Sequence, residues 1–413
     1  MRRPTRTADS TGLRSGTHTA AIAAMATSSF VFVTAETLPV GLLPEIAGGL
    51  SVTEAQVGLL LTTYAAVAAA STIPLTSLSL RVPRHTLLAG LVAVFAVSQL
   101  AASVADSFLL LTLTRLVCAL AHGVFWSALA PAAARLAPPG QAGRATSMVF
   151  VGNSLALVLG VPLGTALGQL TSWRIAVASL GVAGALSALT LLRVLPPLPA
   201  LVPAERVRVA AQIGAAWSTV RSRALTPVCA VTTVLVIGHF AAYTYIAPLV
   251  RRDGGLDGLG LSALLLGYGA AGLVGTVLVG RAVDRRPGTV LVGTISVAVL
   301  GLAVLTFARA DVLTSVAVLA WGAGFTAVPV CLQAAVMRVA PHEQDAASAV
   351  YVVAFQIGIG GGALLGERLV TSGALDALPP LAAGLAVLAA VVGLSARRAF
   401  PLRAPAHEPV VVR

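Results

Sequence analysis

Three side chains that can do acid–base or ligand chemistry lie on one predicted helix face: Arg115, His122 and Trp126. In an α-helix, positions seven and eleven residues further on return to within about 20° of the starting direction. This face therefore presents a cation, an imidazole and an indole in one line. Because an imidazole changes its charge near neutral pH, the arrangement favours proton transfer beside a surface that can bind a ring.

Apart from Arg115, Glu36 is the one charge placed well inside an apolar stretch of the N-terminal half. If these stretches cross a membrane, an unpaired Arg costs at least about 2.5 kcal/mol, so Arg115 should have a partner. We expect Glu36, Arg115 and His122 to face a common cavity and to form a proton-coupling group, with Glu36 taking up a proton when it is desolvated. The alternative is a fixed ion pair that only orients helices, with His122 bonded to a backbone carbonyl.

A second set of polar side chains interrupts the apolar stretches elsewhere. His239 and Tyr243 are four residues apart on one helix face. Hydroxyl, imidazole and amide groups can all donate and accept hydrogen bonds, so we expect this set, together with Trp126, to contact a small-molecule ligand. The alternative for each residue is a hydrogen bond between helices, which contributes about 0.6 kcal/mol on average in membranes. The set comprises Tyr64, Asn153, His239, Tyr243, Gln333 and Gln356.

The surroundings of these residues are apolar along almost the whole chain. Of the 413 residues, 57% are hydrophobic and 10% are charged, and the mean hydropathy is +0.92. Apolar stretches of roughly 20 residues are long enough to cross a hydrocarbon core of about 30 Å as helices, whereas a membrane β-barrel would show alternating segments of about 10 residues. The sequence predicts an all-α polytopic membrane protein with 12 transmembrane helices: 20–42, 56–78, 86–105, 108–134, 145–168, 175–195, 226–249, 260–283, 288–308, 312–337, 346–366 and 377–396.

The basic residues indicate the orientation of these spans. With the N-terminus in the cytoplasm, 21 of the 27 basic residues lie in inner segments and five in outer ones. This bias fits the positive-inside rule with both termini cytoplasmic. Basic residues scattered through short loops favour contact with anionic lipid over a nucleic-acid partner. The three cysteines fall within spans and show neither a disulfide framework nor metal-ligand spacing, so we interpret them as packing residues and expect no metal.

Two similar halves flank a polar central stretch. We divide the chain into an N-terminal six-helix bundle (1–195), a cytoplasmic linker (196–224) and a C-terminal six-helix bundle (225–413). The first span ends in E-T-L-P-V-G-L-L-P and the seventh in F-A-A-Y-T-Y-I-A-P, which indicates a duplication. Such repeats are typical of transporters that rock two bundles around a central site. The linker can form either a short amphipathic helix or a solvated connection.

Several motifs carry a family resemblance. The loop after the eighth span contains G-x-x-x-D-R through Gly280, Asp284 and Arg285, and Arg115 lies in the fourth span. The fifth span reads G-N-S-L-A-L-V-L-G-V-P-L-G. On these residues the sequence resembles the major facilitator superfamily, in particular its 12-helix drug:proton antiporter branch. The motif positions in the fifth span are Gly152, Gly160, Pro162 and Gly164.

The closer likeness is to bacterial sugar efflux transporters. It rests on A-E-T-L-P-V-G-L-L-P, A-L-A-H-G-V-F-W-S, G-H-F-A-A-Y-T-Y-I-A-P and F-Q-I-G-I-G-G-G-A-L-L-G. The resemblance implies two pseudo-symmetric bundles, alternating access and a monomer in the bacterial cytoplasmic membrane. It also implies proton-coupled export of small neutral molecules, sugars or sugar-like compounds, without a cofactor.

Two departures from the family pattern concern the gate and the ligand site. In the loop after the second span, Leu80 stands where the signature has Asp, while Arg81 and Arg84 keep the basic character of a cytoplasmic gate. That loop therefore lacks the gate carboxylate, which Asp284 keeps in the C-terminal half. In the eleventh span, Gln356 stands where the sugar exporters are expected to have Asn, so the identity of the substrate stays open.

Other functions fit parts of the pattern. A proton-driven pump for an antibiotic of the chloramphenicol type is the nearest alternative, although an aromatic content of 5% argues against a broad multidrug pocket. A facilitator without proton coupling and a non-transporting membrane sensor on the same fold are the others. The sequence contains no P-loop and no soluble catalytic domain, so neither ATP-driven transport nor an enzyme is expected.

Overall fold

The secondary structure is helical throughout the described part of the chain, with no strand in it. Eleven helices are long and apolar enough to cross a membrane. The remaining predicted span coincides with the 26-residue helix Glu54–Ser79, which reaches about 39 Å at about 1.5 Å per residue. The predicted all-α membrane fold is confirmed. The computed structural model describes residues 9–138, 140–201, 218–219, 222–256 and 258–403.

The helices follow the predicted spans and are numbered as spans in chain order. In the N-terminal half they are Asp9–Gly41, Glu54–Ser79, Arg84–Ser103, Phe108–Leu136, Ala142–Leu170 and Trp173–Val194. In the C-terminal half they are Thr226–Tyr243, Gly258–Ala282, Pro287–Phe307, Asp311–Val339, Gln344–Thr371 and Leu378–Ser395. The first helix begins at Asp9, well before the predicted start at residue 20.

The regular helix is interrupted within the fifth and tenth spans and directly after the first and seventh. Pro44, Pro162 and Pro329 each lie in the first two positions of the helical segment that follows the interruption, where a missing N–H does no harm. The seventh span, predicted as uninterrupted, divides between Tyr243 and Ile246. The segments after the interruptions are Leu43–Leu50, Val161–Leu170, Ile246–Gly254 and Val328–Val339, and a π-helical turn, Ala156–Gly160, precedes the second of them.

Glycines let the fifth span approach the first closely. A Cβ atom at Gly152 would collide with the carbonyl group of Ala26, and one at Gly160 would collide with the side chain of Thr34. Gly164 faces the same span. The C-terminal half repeats this packing between its eleventh and seventh spans. The glycines of the eleventh span that face the seventh are Gly358, Gly362 and Gly366.

Two apolar cores correspond to the predicted halves. One consists of buried residues within 21–198. The other consists of buried residues within 225–400, joined by two from the N-terminal half. We propose on this basis that the halves are separate bundles on either side of the linker.

A cluster of polar contacts joins the two bundles at one end. The Arg84 guanidinium and the Asp345 carboxylate lie 2.7 Å apart, and both side chains are at most 4% exposed. Asp284 accepts hydrogen bonds from the backbone N–H groups of Gly143 (2.7 Å) and Arg144 (3.0 Å), at the start of the fifth span. We call these two contacts the interbundle latch.

The latch lies at the end that carries the C-terminal segment. The Gly288 N–H, at the start of the ninth span and close to Asp284 in the sequence, donates to the Pro401 carbonyl. Deeper in the protein, the Ser147 hydroxyl donates to the Thr276 carbonyl (2.8 Å). This is the end predicted to be cytoplasmic, and the contacts join the two bundles there.

The carboxylate missing at Leu80 is supplied by the opposite bundle. Arg84 has no acidic neighbour in its own loop, and Asp345, in the first turn of the eleventh span, provides one. An acidic residue in the first turn also suits the positive end of the helix dipole. The latch therefore uses two carboxylates, Asp284 and Asp345, both from the C-terminal half.

The start of the linker packs on the latch end. The Arg84 N–H donates to the Leu198 carbonyl (2.9 Å), and the Leu201 N–H donates to the Leu80 carbonyl (3.0 Å). The segment 204–217, for which an amphipathic helix and a solvated connection were both open, lies outside the described residues.

Asp345→Asn tests the latch, because it leaves the Arg84 cation buried without a counter-charge. Removing one partner of a buried ion pair costs about 3–5 kcal/mol. We expect a lower midpoint of thermal unfolding in detergent, with partial recovery in the reversed pair Arg84→Asp with Asp345→Arg. Arg397→Gln, which removes an exposed arginine, is the control. An Asp345→Asn protein as stable as the unmodified one would rule out this role for the pair.

Candidate functional site

A cavity of about 230 Å³ lies between the two bundles. Its walls come from the first, fourth and fifth spans on one side and from the seventh, eighth, tenth and eleventh spans on the other. Glu36 and His122 lie in the wall, whereas Arg115 does not. Six of the seven residues predicted to contact a ligand also line it: Trp126, Asn153, His239, Tyr243, Gln333 and Gln356.

Aromatic side chains are concentrated in this cavity. They make up 5% of the chain, yet eight of them line the walls. A low overall content therefore does not disfavour an aromatic ligand. Two of the eight come from the N-terminal bundle and six from the C-terminal bundle: Trp126, Phe150, Phe240, Tyr243, Tyr268, Phe325, Tyr351 and Phe355.

His239 is the centre of the aromatic wall. Its ring stacks on Phe325 at a centroid distance of 3.3 Å and on Tyr243 at 5.0 Å. The Trp321 indole N–H donates to Nδ1 of His239 (3.2 Å), so Nε2 carries the proton of the neutral ring. Sequence reasoning misses Trp321, because a tryptophan in an apolar span gives no signal that separates packing from positioning.

Two side-chain amides that line the cavity differ in their hydrogen bonding. The Gln333 Nε2 donates to the Ser348 hydroxyl (2.7 Å), so part of its hydrogen-bonding capacity is used within the protein. Gln356 is 4% exposed, and its Nε2 has no hydrogen-bond partner in the described part of the chain. A buried amide donor without a partner costs about 1–3 kcal/mol. A ligand acceptor that reaches Gln356 would recover this energy.

Glu36 and His122 meet in the wall of the N-terminal bundle. The distance between Glu36 Oε1 and His122 Nε2 is 3.9 Å, with the Glu36 side chain 23% exposed and the His122 side chain 5% exposed. A carboxylate open to the cavity can exchange protons with water there. The imidazole behind it can donate to the ionised carboxylate, so the two groups together can hold a proton that enters from the cavity.

Arg115 lies behind this pair, outside the cavity wall. Its guanidinium donates to the carbonyl oxygens of Ala35 (3.3 Å) and Glu36 (3.4 Å). Ala35 needs such a donor, because Pro39, four residues later in the first span, has no N–H for it. The carboxylate expected as the partner of Arg115 is thus replaced by the backbone of the first span.

Tyr64 is predicted from the sequence to contact a ligand, but it lies behind the wall of the cavity. It is 3% exposed and lies outside the cavity wall. Its hydroxyl is 2.9 Å from Nδ1 of His122, and the Arg115 guanidinium lies 5.1 Å from its ring centroid. The second span packs against the fourth behind the cavity, so Tyr64 contacts His122 and Arg115 instead.

The predicted gate residues lie at the latch end, away from the cavity. Arg84 and Asp284 belong to the latch. Arg81 is half-buried beside it, and Arg285 is exposed. A Cβ atom at Gly280 would collide with the fifth span, so this glycine permits the close approach of the two bundles.

Comparisons with known proteins agree on one family. The model of the Major Facilitator Superfamily matches residues 25–363. Two curated relatives from two strains of Mycobacterium tuberculosis are each described as a chloramphenicol efflux pump. Each is 41% identical to this chain over 356 residues, which cover 84% of this chain and 85% of the relative.

Solved structures show the same fold. A human organic anion transporter matches with a TM-score of 0.74 and 15% identity, over 91% of this chain and 99% of that protein. The fucose:proton symporter of Escherichia coli matches with a TM-score of 0.69 and 16% identity, over 91% of this chain and 98% of that protein. At these identities the likeness concerns the fold alone.

Arg115→Gln replaces the guanidinium that donates to the Ala35 carbonyl by a shorter side chain, and Pro39→Ala restores a backbone N–H to that carbonyl. We expect the first change to lower the free energy of unfolding and the second to recover part of the loss, with a coupling of about 0.5–3 kcal/mol in a double-mutant cycle. Pro131→Ala in the Arg115→Gln background is the control, because Pro131 lies about four turns further along the fourth span. Purely additive effects of Arg115→Gln and Pro39→Ala would show that the carbonyl is not the partner.

Proposed function

The chain belongs to the major facilitator superfamily, and we propose that it exports small amphiphilic aromatic molecules of the chloramphenicol type in exchange for protons. It is a multi-pass protein of the bacterial plasma membrane, and its curated relatives are efflux pumps. The concentration of aromatic side chains around the cavity carries the proposed substrate class. The description of the Mycobacterium tuberculosis relatives as chloramphenicol efflux pumps supports the same class.

The cavity suits a neutral ring with a few polar groups. Chloramphenicol combines a nitrobenzene ring with two hydroxyl groups and an amide. Its ring can pack against Tyr243, Phe325 and Phe355, and such ring pairs contribute about 0.5–1.5 kcal/mol each beyond their buried area. The free Gln356 amide can donate to a nitro or amide oxygen. Asn153, on the opposite wall, can pair with a hydroxyl.

Sugar export is the second candidate, because the motifs quoted above resemble sugar efflux transporters and three amides line the cavity. A sugar presents a hydroxyl on nearly every carbon, and each one needs a partner once it is buried. Gln333 is already bonded to Ser348. The wall therefore offers fewer free hydrogen-bond partners than rings, which favours the aromatic substrate.

In the proposed cycle, Glu36 and His122 carry the proton. With the latch closed, the cavity faces the outside, and Glu36 takes up its proton from there. The latch then opens, the cavity faces the cytoplasm, and the proton leaves as the substrate binds. Return to the closed latch carries the substrate outward.

The fifth and eleventh spans connect the gate to the ligand site. The fifth carries Gly143 at the latch and Asn153 in the cavity wall. The eleventh carries Asp345 at the latch and Gln356 in the wall. A rigid movement of either span therefore changes both sites together, which alternating access requires.

Glu36→Gln tests the proton coupling, because an amide cannot take up the proton. In inverted membrane vesicles, an imposed pH gradient should drive accumulation of radiolabelled chloramphenicol. We expect Glu36→Gln to abolish this accumulation while exchange of labelled for unlabelled substrate persists. Glu367→Gln, which removes an exposed carboxylate of the eleventh span, is the control. If Glu36→Gln accumulates chloramphenicol as the unmodified protein does, Glu36 does not carry the coupling proton.

Gln356→Leu tests the substrate class at a buried amide of the cavity wall whose donor has no partner in the described part of the chain. Loss of a hydrogen bond of about 0.5–1.5 kcal/mol corresponds to about two- to tenfold weaker equilibrium binding of chloramphenicol to the purified protein. Gln344→Leu, at the start of the same span and outside the cavity wall, should bind normally. Unchanged affinity in Gln356→Leu, or displacement of chloramphenicol by arabinose, would count in favour of the second candidate.

A further inference from the structure

A chain of buried polar side chains runs behind the proton-coupling group. The Gln99 Nε2 lies 3.8 Å from the Cys118 sulfur, the sulfur lies 3.7 Å from the Tyr64 hydroxyl, and the hydroxyl lies 2.9 Å from Nδ1 of His122. All four residues are at most 4% exposed. The third, second and fourth spans contribute to this chain. Cys118, interpreted above as a packing residue, therefore also has polar neighbours.

One consistent set of hydrogen-bond directions starts at Gln99, at the far end of this chain of side chains. The Gln99 Nε2 group donates to the Cys118 sulfur, so the thiol hydrogen is available to the Tyr64 oxygen. The Tyr64 oxygen then accepts from the thiol, and its own hydrogen points to His122. Nδ1 of His122 must be bare to accept it, so Nε2 carries the ring proton.

The opposite end of the imidazole favours the same tautomer. Nε2 faces Glu36 Oε1 at 3.9 Å. A bare Nε2 would set two acceptors against each other beside an ionised carboxylate. The other charged group near His122 is Arg115, from the same span, and it is bound to carbonyl oxygens of the first span. Phe32 and Trp126 contact the ring without offering an acceptor.

We infer that Tyr64 is a positioning residue, which holds His122 as the Nε2–H tautomer and so presents a donor to Glu36. Its hydroxyl acts through His122 and does not touch the substrate, since Tyr64 lies outside the cavity wall. The importance of this donor for transport rests on the proposed function, in which Glu36 and His122 carry the proton. The inference that His122 is the Nε2–H tautomer does not rest on the proposed function.

Nitrogen-15 spectra of histidine-labelled protein in lipid nanodiscs test the tautomer without transport. We expect a neutral His122 with a protonated Nε2 and a bare Nδ1, assigned by its disappearance in His122→Asn. Tyr64→Phe keeps the ring and removes the hydroxyl, so His122 should then populate both tautomers. Tyr245→Phe, a matched loss of a hydroxyl in the other bundle, should leave the His122 signals unchanged. A protonated Nδ1 in the unmodified protein, or identical His122 signals in Tyr64→Phe, would overturn the inference.

Transport and binding separate positioning from ligand contact. Tyr64→Phe should bind chloramphenicol with unchanged affinity in equilibrium dialysis and lose most of its gradient-driven accumulation in inverted vesicles. An equal loss of binding would make Tyr64 a ligand contact and refute the inference. If the unmodified protein binds no chloramphenicol, the proposed substrate fails, whereas the spectra still decide the role of Tyr64.

Discussion

The interbundle latch is the contact on which the rest of the structure depends. Arg84 and Asp345 are both buried, so each is the counter-charge of the other while the latch is closed. Their pairing joins the bundles at one end, and Glu36 lies in the wall of the cavity between them. The pairing also fixes the start of the eleventh span, which carries Gln356 into the cavity wall. One buried ion pair thereby links the contact between the bundles to the geometry of the candidate ligand site.

The positive N-terminal ends of the fifth and eleventh spans each lie beside a carboxylate, but that carboxylate is supplied differently in the two cases. At the fifth span, Asp284 from the opposite bundle accepts two backbone N–H groups and faces the positive end of the helix dipole. At the eleventh span, the equivalent position in the opposite bundle is Leu80, and Asp345 belongs to the helix itself. Arg84 then supplies the attraction between the bundles. The first contact needs one side chain and the second needs two, so the second is sensitive to a change in either bundle.

The sequence predicts the spans well, because a membrane helix needs about 20 apolar residues and leaves a clear hydropathy signal. From the sequence, Glu36 and His122 are expected to face one cavity, and both lie in the wall of the cavity between the bundles. The sequence does not predict partners within the bilayer: Arg115 binds a carbonyl that Pro39 leaves free, which is a backbone effect that composition does not reveal. The placement of Tyr64 behind the cavity depends on which helix face meets which neighbour, and a span that is apolar all round hides this. For the same reason, the sequence does not predict that eight of the aromatic residues line the cavity.

A chloramphenicol-like molecule and a proton are proposed to cross the membrane in opposite directions through one cavity. The most direct measurement follows the luminal pH of proteoliposomes that contain the purified protein and an acidic interior. We expect external chloramphenicol to accelerate the loss of luminal protons and arabinose to have no effect. Acceleration by arabinose alone, or by neither compound, would contradict the proposed exchange.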